Sequence, residues 1–213
     1  MDRIIHRKSG DENSIQAKYN HIAPDYDKRW SFYIEVTLRE TVKRLGLQVS
    51  DRLLDIGCGT ASLFKPIFAE YPSVELVGVD LSTRMLKAAH EKLGDQAVFL
   101  TAQAQSLPFR PESFDIVVSC NAFHYWREPE ECLSEIARVL KPSGRIVITD
   151  WCDDYIACRV CDFFLRIFSR AHFKAYGQGE CEHLLQVAGF KNVLIERYKI
   201  NWLWGLMTAK GQT

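Results

Sequence analysis

The sequence predicts an α/β fold: a Rossmann-like, doubly wound, mostly parallel sheet with helices on both faces and an antiparallel C-terminal hairpin. Three observations predict it. Short β-branched runs alternate with helix-length segments between residues 52 and 150. The first run, LLDI at 53–56, breaks at once into a glycine turn, GCGT at 57–60. Two further β-type runs follow one another near the C-terminus with no helix between them.

Each element has its own signal. Residues 1–14 (MDRIIHRKSGDENS) are mostly polar and read as a frayed terminus. Ile15, Tyr19 and Ile22 then recur at helical spacing until Pro24 stops the run. Residues 31–45 make the next helix, ended by Gly46, so that 1–46 forms a cap of helices ahead of the sheet. Residues 52–56 read as a buried strand, 60–70 as a helix stopped before Pro72, and 74–80 as a strand ending in Asp80. Ser82 is an N-cap for a helix over 83–93, which Gly94 ends. Strands are expected at 97–102, 114–120 and 144–150, with an amphipathic helix at 129–140 opened by Pro129. Residues 151–176 are dense in aromatics and cysteine and interrupt the alternation, before a helix (180–188) and strands at 192–200 and 202–209. The whole reads as one domain, 1–213.

Bulk composition narrows the function classes. With 47% apolar and 25% charged residues in 213, the chain can bury a full core. Lys+Arg 27 balances Asp+Glu 27, which disfavours a nucleic-acid partner, since phosphate binding draws on a basic excess. Seven scattered cysteines without a paired framework, and no signal peptide, suit reduced thiols in a cytoplasmic protein. No apolar run is long enough to span a bilayer. Cys158 and Cys161 form a C-x-x-C, but no second pair stands at ligand spacing, so no metal is expected and burial as small hydrophobes is the simpler role.

In parallel sheets of this kind ligands lie beyond the carboxyl ends of the strands. The sequence sets Gly57–Thr60, Asp80, Gln103, Cys120–His124 and Asp150 at those ends. A glycine turn leading to a helix start lets backbone amides approach a ligand closely. Asp80, ending the second strand, is placed to accept both hydroxyls of a ribose. A dinucleotide site would carry G-x-G-x-x-G, whereas the third position here is Ser62. Asp55, just before the turn, suits an amino group better than a pyrophosphate, which points to S-adenosylmethionine.

The stretches LLDIGCGTA, LVGVDLSTRMLKAA, AQAQSLPF, FDIVVSCNAFHYW and EIARVLKPSGRIVITD resemble, in order and spacing, the successive motifs of class I S-adenosylmethionine-dependent methyltransferases. YNHIAPDYDKRW resembles the N-terminal signature of the ubiquinone/menaquinone-biosynthesis branch, with its methyltransferase type 11 domain. The resemblance runs from about residue 19 to the C-terminus. It implies that Asp55, Gly57, Gly59 and Thr60 surround the methionine part of the cofactor. Asp80 would hold the ribose, Leu81 would pack on the adenine, and Gln103 and Ala104 would sit at the adenine edge. Cys120 and Asn121 would close the pocket under the sulfonium. Relatives often carry an acid or asparagine where Gln103 stands, and glutamine accepts the adenine amino group only through its carbonyl, a difference of about 1 kcal/mol.

Methyl transfer from a sulfonium needs alignment and exclusion of water, and a base only when the acceptor arrives protonated. His124, in AFHYW after the fourth strand, is the base candidate, against packing in a loop. Tyr19, Tyr26 and Tyr125 are candidates to orient the acceptor or line the mouth of its pocket, against simple packing. The 151–176 insert lies where this fold builds an acceptor lid. Its aromatics suit a flat or apolar small-molecule acceptor, or complete the core around the sheet, and both can hold at once. The alternatives are a nicotinamide-dependent oxidoreductase and a catalytically inactive S-adenosylmethionine-binding scaffold.

Overall fold

A computed structural model describes residues 14–169 and 172–213 of the chain. The frayed-terminus expectation for 1–14 falls outside them except for Ser14, which is helical. Helix α1 (14–22) runs into a single 3-10 turn at Ala23–Asp25, carrying Pro24 in its first turn. Helices α2 (Tyr26–Arg29) and α3 (Ser31–Leu45) complete the N-terminal segment. The alternation then follows: β1 (Arg52–Ile56), α4 (Phe64–Glu70), β2 (Glu75–Asp80), α5 (Thr83–Leu93), β3 (Val98–Thr101), β4 (Phe114–Cys120), α6 (Pro129–Val139) and β5 (Leu140–Trp151). Helix α7 (Ile156–Phe168), helix α8 (Gln178–Val187) and strands β6 (Lys191–Lys199) and β7 (Gly205–Gln212) end the chain.

The seven strands form one sheet in the order β3-β2-β1-β4-β5-β7-β6. β1 pairs in parallel with both β2 and β4, so the chain reverses its direction of growth beside β1. Such a switch point opens a crevice at the carboxyl ends of the strands. β7 runs antiparallel to β5, and β6 antiparallel to β7, which is the expected hairpin.

Strand alternation sorts the core into two layers. Leu54, Val77, Val117 and Ile146 face a cluster with Leu133 and Ile136 of α6 and Leu185 of α8. Their neighbours Leu53, Leu76, Ile116 and Val147 face the other cluster, with Leu45 of α3, Phe64 and Ile67 of α4 and Ala89 of α5. Ser82 caps α5 by accepting the Met85 amide at 3.1 Å.

Several boundaries differ from the sequence expectation. The helix expected over 60–70 starts only at Phe64, because positive φ at Gly57, Gly59 and Ala61 keeps the preceding residues in a turn. β5 begins at Leu140, four residues early, with an irregular register against β4 between Phe114 and Ile116. The last strand starts at Gly205 and not at 202: Asn201 Oδ1 accepts the amides of Leu203 (2.9 Å) and Trp204 (2.6 Å), curling 200–204 into the hairpin turn. The aromatics of 151–176 do not form one packed group. Tyr176 is buried in the core with Tyr155 packed against it, as expected, whereas Phe163, Phe164 and Phe168 on α7 are exposed, which corrects the core expectation for those three.

Candidate functional site

A cavity of about 680 Å³ opens at the carboxyl ends of β1, β2 and β4. Its floor is the glycine turn. The amides of Gly57 and Cys58 both donate to the Val79 carbonyl (2.8 and 3.0 Å), which draws the turn across the end of β2. Gly57 has φ +77°, and a Cβ there would lie 2.5 Å from the Cβ of Ala122. Gly59 has φ +54°, and a Cβ there would meet nothing within 4 Å. The first glycine is therefore needed by the protein itself, and the second leaves space free beside the cavity.

Asp80 closes one side. Its Oδ2 accepts the Gly59 amide at 2.9 Å and its Oδ1 the Ser82 amide at 2.8 Å. Burial raises its pKa, and amide hydrogen bonds from Ser82, Gly59 and Leu81 oppose that rise. Each carboxylate oxygen keeps a further lone pair for a hydroxyl donor. Asp55 lies under the turn, 2% exposed, and is not part of the cavity wall. Its Oδ1 has no hydrogen-bond partner. Burial, then the nearby charge of Asp80, push its pKa up to about 8. An unpartnered buried carboxyl beside an open turn is an acceptor for a cation, which fits the amino group of S-adenosylmethionine.

The opposite wall is aromatic. Tyr19, Tyr26 and Tyr125 line the cavity together with Leu81, Met85 and Ala104. Tyr19 Oη donates to Tyr125 Oη at 2.7 Å, and Lys18 Nζ donates to the same oxygen at 3.5 Å. Tyr125 thus accepts from both, which leaves its own proton for a group in the cavity. Burial raises the pKa of all three phenols, so they stay neutral donors near pH 7. α1 and α2 are strapped over this space by polar contacts. Gln16 Nε2 donates to the Leu81 carbonyl (2.8 Å), Ser82 Oγ to Asn20 Oδ1 (2.7 Å), and Thr60 Oγ1 to Asp27 Oδ1 (2.6 Å).

Cys120 and Asn121 complete the lining, with Asn121 in the left-handed region at φ +59°. Asn121 Oδ1 accepts from Tyr33 Oη (2.6 Å), which itself accepts from Trp151 Nε1 (2.6 Å). Burial pushes the Cys120 thiol up to about 12, so it is a neutral wall group.

The remaining expected residues are placed otherwise. His124 is 5% exposed and is not among the lining residues. Its Nδ1 donates to Asp150 Oδ1 at 2.8 Å, its amide to Asp150 Oδ2 at 3.0 Å, and its ring stacks on Trp151 at 5.2 Å. Thr60 is turned toward Asp27 and away from the wall. Gln103 pairs in a bridge with Ser106, and Gln105 takes the lining position instead. Among the described residues of 151–176, none lines the cavity.

Sequence reasoning missed Asp27, Tyr33 and Gln105. Asp27 and Tyr33 act across more than thirty residues of chain on groups of the glycine turn and the 121–125 turn, and no local pattern marks such contacts. Gln105 sits two positions beyond Gln103 in the same AQAQ repeat, so a strand end placed two residues late would have found it.

Comparison with known proteins adds independent findings. Residues 54–148 match the methyltransferase domain family. The chain is 30% identical over 217 residues to the demethylmenaquinone methyltransferase of Anoxybacillus flavithermus, a match covering 88% of this chain and 91% of that protein. It is 36% identical over 140 residues to the ubiquinone/menaquinone biosynthesis C-methyltransferase UbiE of Syntrophotalea carbinolica, covering 62% of this chain and 59% of that protein. The first curated relatives are matched over 58–59% of their own length. Among solved structures, a chain from the complex between the Haloferax volcanii Trm112 methyltransferase activator and a methyltransferase superposes with a TM-score of 0.79 at 21% identity, covering 91% of this chain and 96% of that one.

Proposed function

The chain belongs to the class I S-adenosylmethionine-dependent methyltransferases, and we propose that it methylates a small apolar or aromatic acceptor of quinone type. The observation that carries this reading is the cavity itself: a half-buried glycine turn and a half-buried ribose-type acid on one side, neutral phenols on the other. The names of the menaquinone-pathway relatives support the acceptor class.

In this reading the turn at Gly57 and Gly59 receives the amino-acid end of the cofactor, and the carboxyl of Asp55, buried beneath the turn, favours its ammonium group by charge across the turn and not by direct contact. Asp80 accepts the ribose hydroxyls, and Leu81 and Ala104 flank the adenine. When bound, S-adenosylmethionine supplies a methyl group already activated by its sulfonium and leaves as S-adenosylhomocysteine. The chain's own work is alignment and dryness. Tyr125, held by Tyr19 and Lys18, donates to a polar atom of the acceptor and fixes its orientation. The strapped α1–α2 segment keeps water out. A base must reach the proton it removes, and His124 lies off the cavity wall, so we give His124 and Asp150 the role of holding the 121–125 turn.

The nicotinamide alternative loses support at α4. Ser62 replaces the third glycine, and the hydroxyls of Thr60 and Ser62 already donate to the carboxylate of Asp27, where a pyrophosphate would need donors. The test is calorimetric binding of S-adenosylhomocysteine against NADH, followed by methyl transfer to a panel of demethylated quinols. Asp80→Ala should weaken S-adenosylhomocysteine binding by about 10- to 100-fold, from loss of a charged acceptor. NADH binding without S-adenosylhomocysteine binding would refute the reading. Tight binding with no turnover on any acceptor would favour the scaffold alternative.

A further inference from the structure

A lysine usually sends its ammonium group to water. Lys18 on α1 does not. It is half-buried, and its Nζ lies 5.6 Å over the Tyr19 ring and 5.5 Å over the Tyr125 ring. Its hydrogen bond goes to a neutral oxygen, Tyr125 Oη, at 3.5 Å. Burial lowers the Lys18 pKa, and no ion pair with a carboxylate among the described residues holds it up. Other half-buried cations of the chain are paired: Arg44 with Glu40, Arg145 with Asp51 and Lys141 with Asp115. A desolvated charge without a counterion is costly, and two ring faces offset only part of that cost.

The charge reaches the cavity through one atom. Tyr125 Oη accepts from Lys18 and also from Tyr19 Oη at 2.7 Å. An oxygen that takes two donors, one of them charged, makes its own O–H a stronger donor. Tyr125 lines the cavity, whereas Lys18 does not, so Lys18 acts on a bound molecule by way of Tyr125. The titratable groups that face this phenol come from several elements. They are Lys18 and Tyr19 from α1, Tyr26 from α2, Asp80 at the end of β2, His124 beside it, Asp150 on β5 and His172 after α7. Both acids are engaged elsewhere. Asp80 accepts the amides of Gly59 and Ser82, and Asp150 accepts the ring and amide of His124. Lys18 is the cation in contact with the Tyr125 oxygen.

A neutral ether or carbonyl oxygen at Tyr125 would receive one hydrogen bond and nothing from the charge. A negative oxygen would receive the same bond and the counterion position that Lys18 leaves open. We propose that Lys18, through Tyr125, sets the charge state in which the acceptor is held, so that a phenol or enol hydroxyl of the acceptor binds as its oxyanion. In that step the hydroxyl O–H bond breaks heterolytically. Its electron pair stays on the acceptor oxygen, its proton passes to bulk water, and the oxyanion accepts the Tyr125 O–H. No protein base is required, in keeping with a cavity wall from which His124 is absent. The inference rests on the cavity being the acceptor site and adds a rule for entry: acidic hydroxyls are preferred over their methyl ethers. Lys18 is a positioning residue in this scheme, and Tyr125 is the group that touches the acceptor.

The test uses 4-nitrophenol, whose anion is yellow and whose neutral form is colourless, with 4-nitroanisole as the ether that cannot ionise. Each is titrated into the full chain saturated with S-adenosylhomocysteine, at pH values either side of the phenol's own midpoint. Wild type should bind the anion at least roughly tenfold more tightly than the neutral phenol, so that the bound probe ionises at lower pH than the free one. Lys18→Met should lose most of that preference while keeping its 4-nitroanisole affinity and melting temperature. Lys18→Arg, which retains the charge, should keep the preference. Equal affinity for both forms in wild type, or an unchanged preference in Lys18→Met, would overturn the proposal. So would failure of both probes to bind, with S-adenosylhomocysteine binding intact. Each of these results leaves the cofactor half of the cavity standing. Failure to bind S-adenosylhomocysteine would refute the reading beneath the proposal, and the proposal with it.

Discussion

Asp55 offers a test in which stability and binding respond to pH in opposite senses. Its carboxyl is buried, lacks a partner on Oδ1, and faces the charge of Asp80, with pKa near 8 against about 4 in the unfolded chain. The neighbouring thiols of Cys58 and Cys120 are themselves pushed up by burial and stay neutral over this range. A raised acid binds its proton more tightly in the folded state, so its contribution to stability is fullest below the unfolded pKa and is lost as pH climbs through 8. At about 1.4 kcal/mol per unit, moving the unliganded protein from pH 6 to pH 8 should cost on the order of 2 kcal/mol. Denaturant unfolding of wild type and Asp55→Asn at both pH values isolates that loss, which the variant should lack. Binding runs the other way. An ammonium group near Asp55 favours the carboxylate, so at pH 7 S-adenosylhomocysteine should release close to one proton, and its affinity should rise roughly 50-fold from pH 6 to pH 8. Calorimetry in buffers of different ionisation enthalpy counts the proton. 5′-Methylthioadenosine, which lacks the amino acid, should release none. Equal S-adenosylhomocysteine affinity at pH 6 and pH 8 would remove Asp55 from the ammonium site.

Two further substitutions separate roles within the site. Gly59→Ala places a methyl in open space at φ +54°, so it should cost about 1 kcal/mol of stability and at least roughly tenfold in S-adenosylhomocysteine affinity, whereas Gly57→Ala drives its methyl onto Ala122 and should lower the melting temperature more; normal binding by Gly59→Ala would mean that the ligand does not lie over the turn. His124→Ala should destabilise the fold by about 1–3 kcal/mol through loss of a partner for buried Asp150, lowering the melting temperature, and reduce turnover less than about tenfold with an unchanged pH–rate profile. A loss of ~10²-fold or more, with the melting temperature unchanged and a lost acid limb in that profile, would restore His124 as the base.

What was legible in the sequence is what short-range chemistry dictates. β-branched runs ending in Gly57, Asp80 and Cys120 declare both the strands and the edge where they stop, because a parallel strand must be apolar on both faces and its exit must turn. The Ser82 cap is readable for the same reason, since one hydroxyl three residues before Met85 can serve only a helix start. The start of α4 was not readable: Ala61 takes a positive φ that no residue pattern announces for alanine. Nor was the burial of His124, which depends on Asp150, Trp151 and His172 arriving from other elements.

Helix α7 shows why this boundary falls where it does. Periodicity finds an apolar stripe on 156–168 but says nothing of which way it faces, since the usual inference that apolar means inward is only an average. Here one buried acid decides. Asp162 is held by His172 and the Ala175 amide, which sit under the helix, and by Arg166 one turn along the same helix. Turning the phenylalanines inward would carry Asp162 into solvent and leave buried His172 and the Ala175 amide without it, a cost of about 1–3 kcal/mol for each orphaned group. The orientation of α7 is therefore written in Asp162 and not in the aromatics, and Asp162→Ala should loosen α7 from the sheet and expose the backbone amide of Ala175. Hydrogen exchange would show faster exchange across α7 and at Ala175, with β1 and β4 unchanged. Unaltered protection of α7 in that variant would sink the account of why its apolar face looks outward.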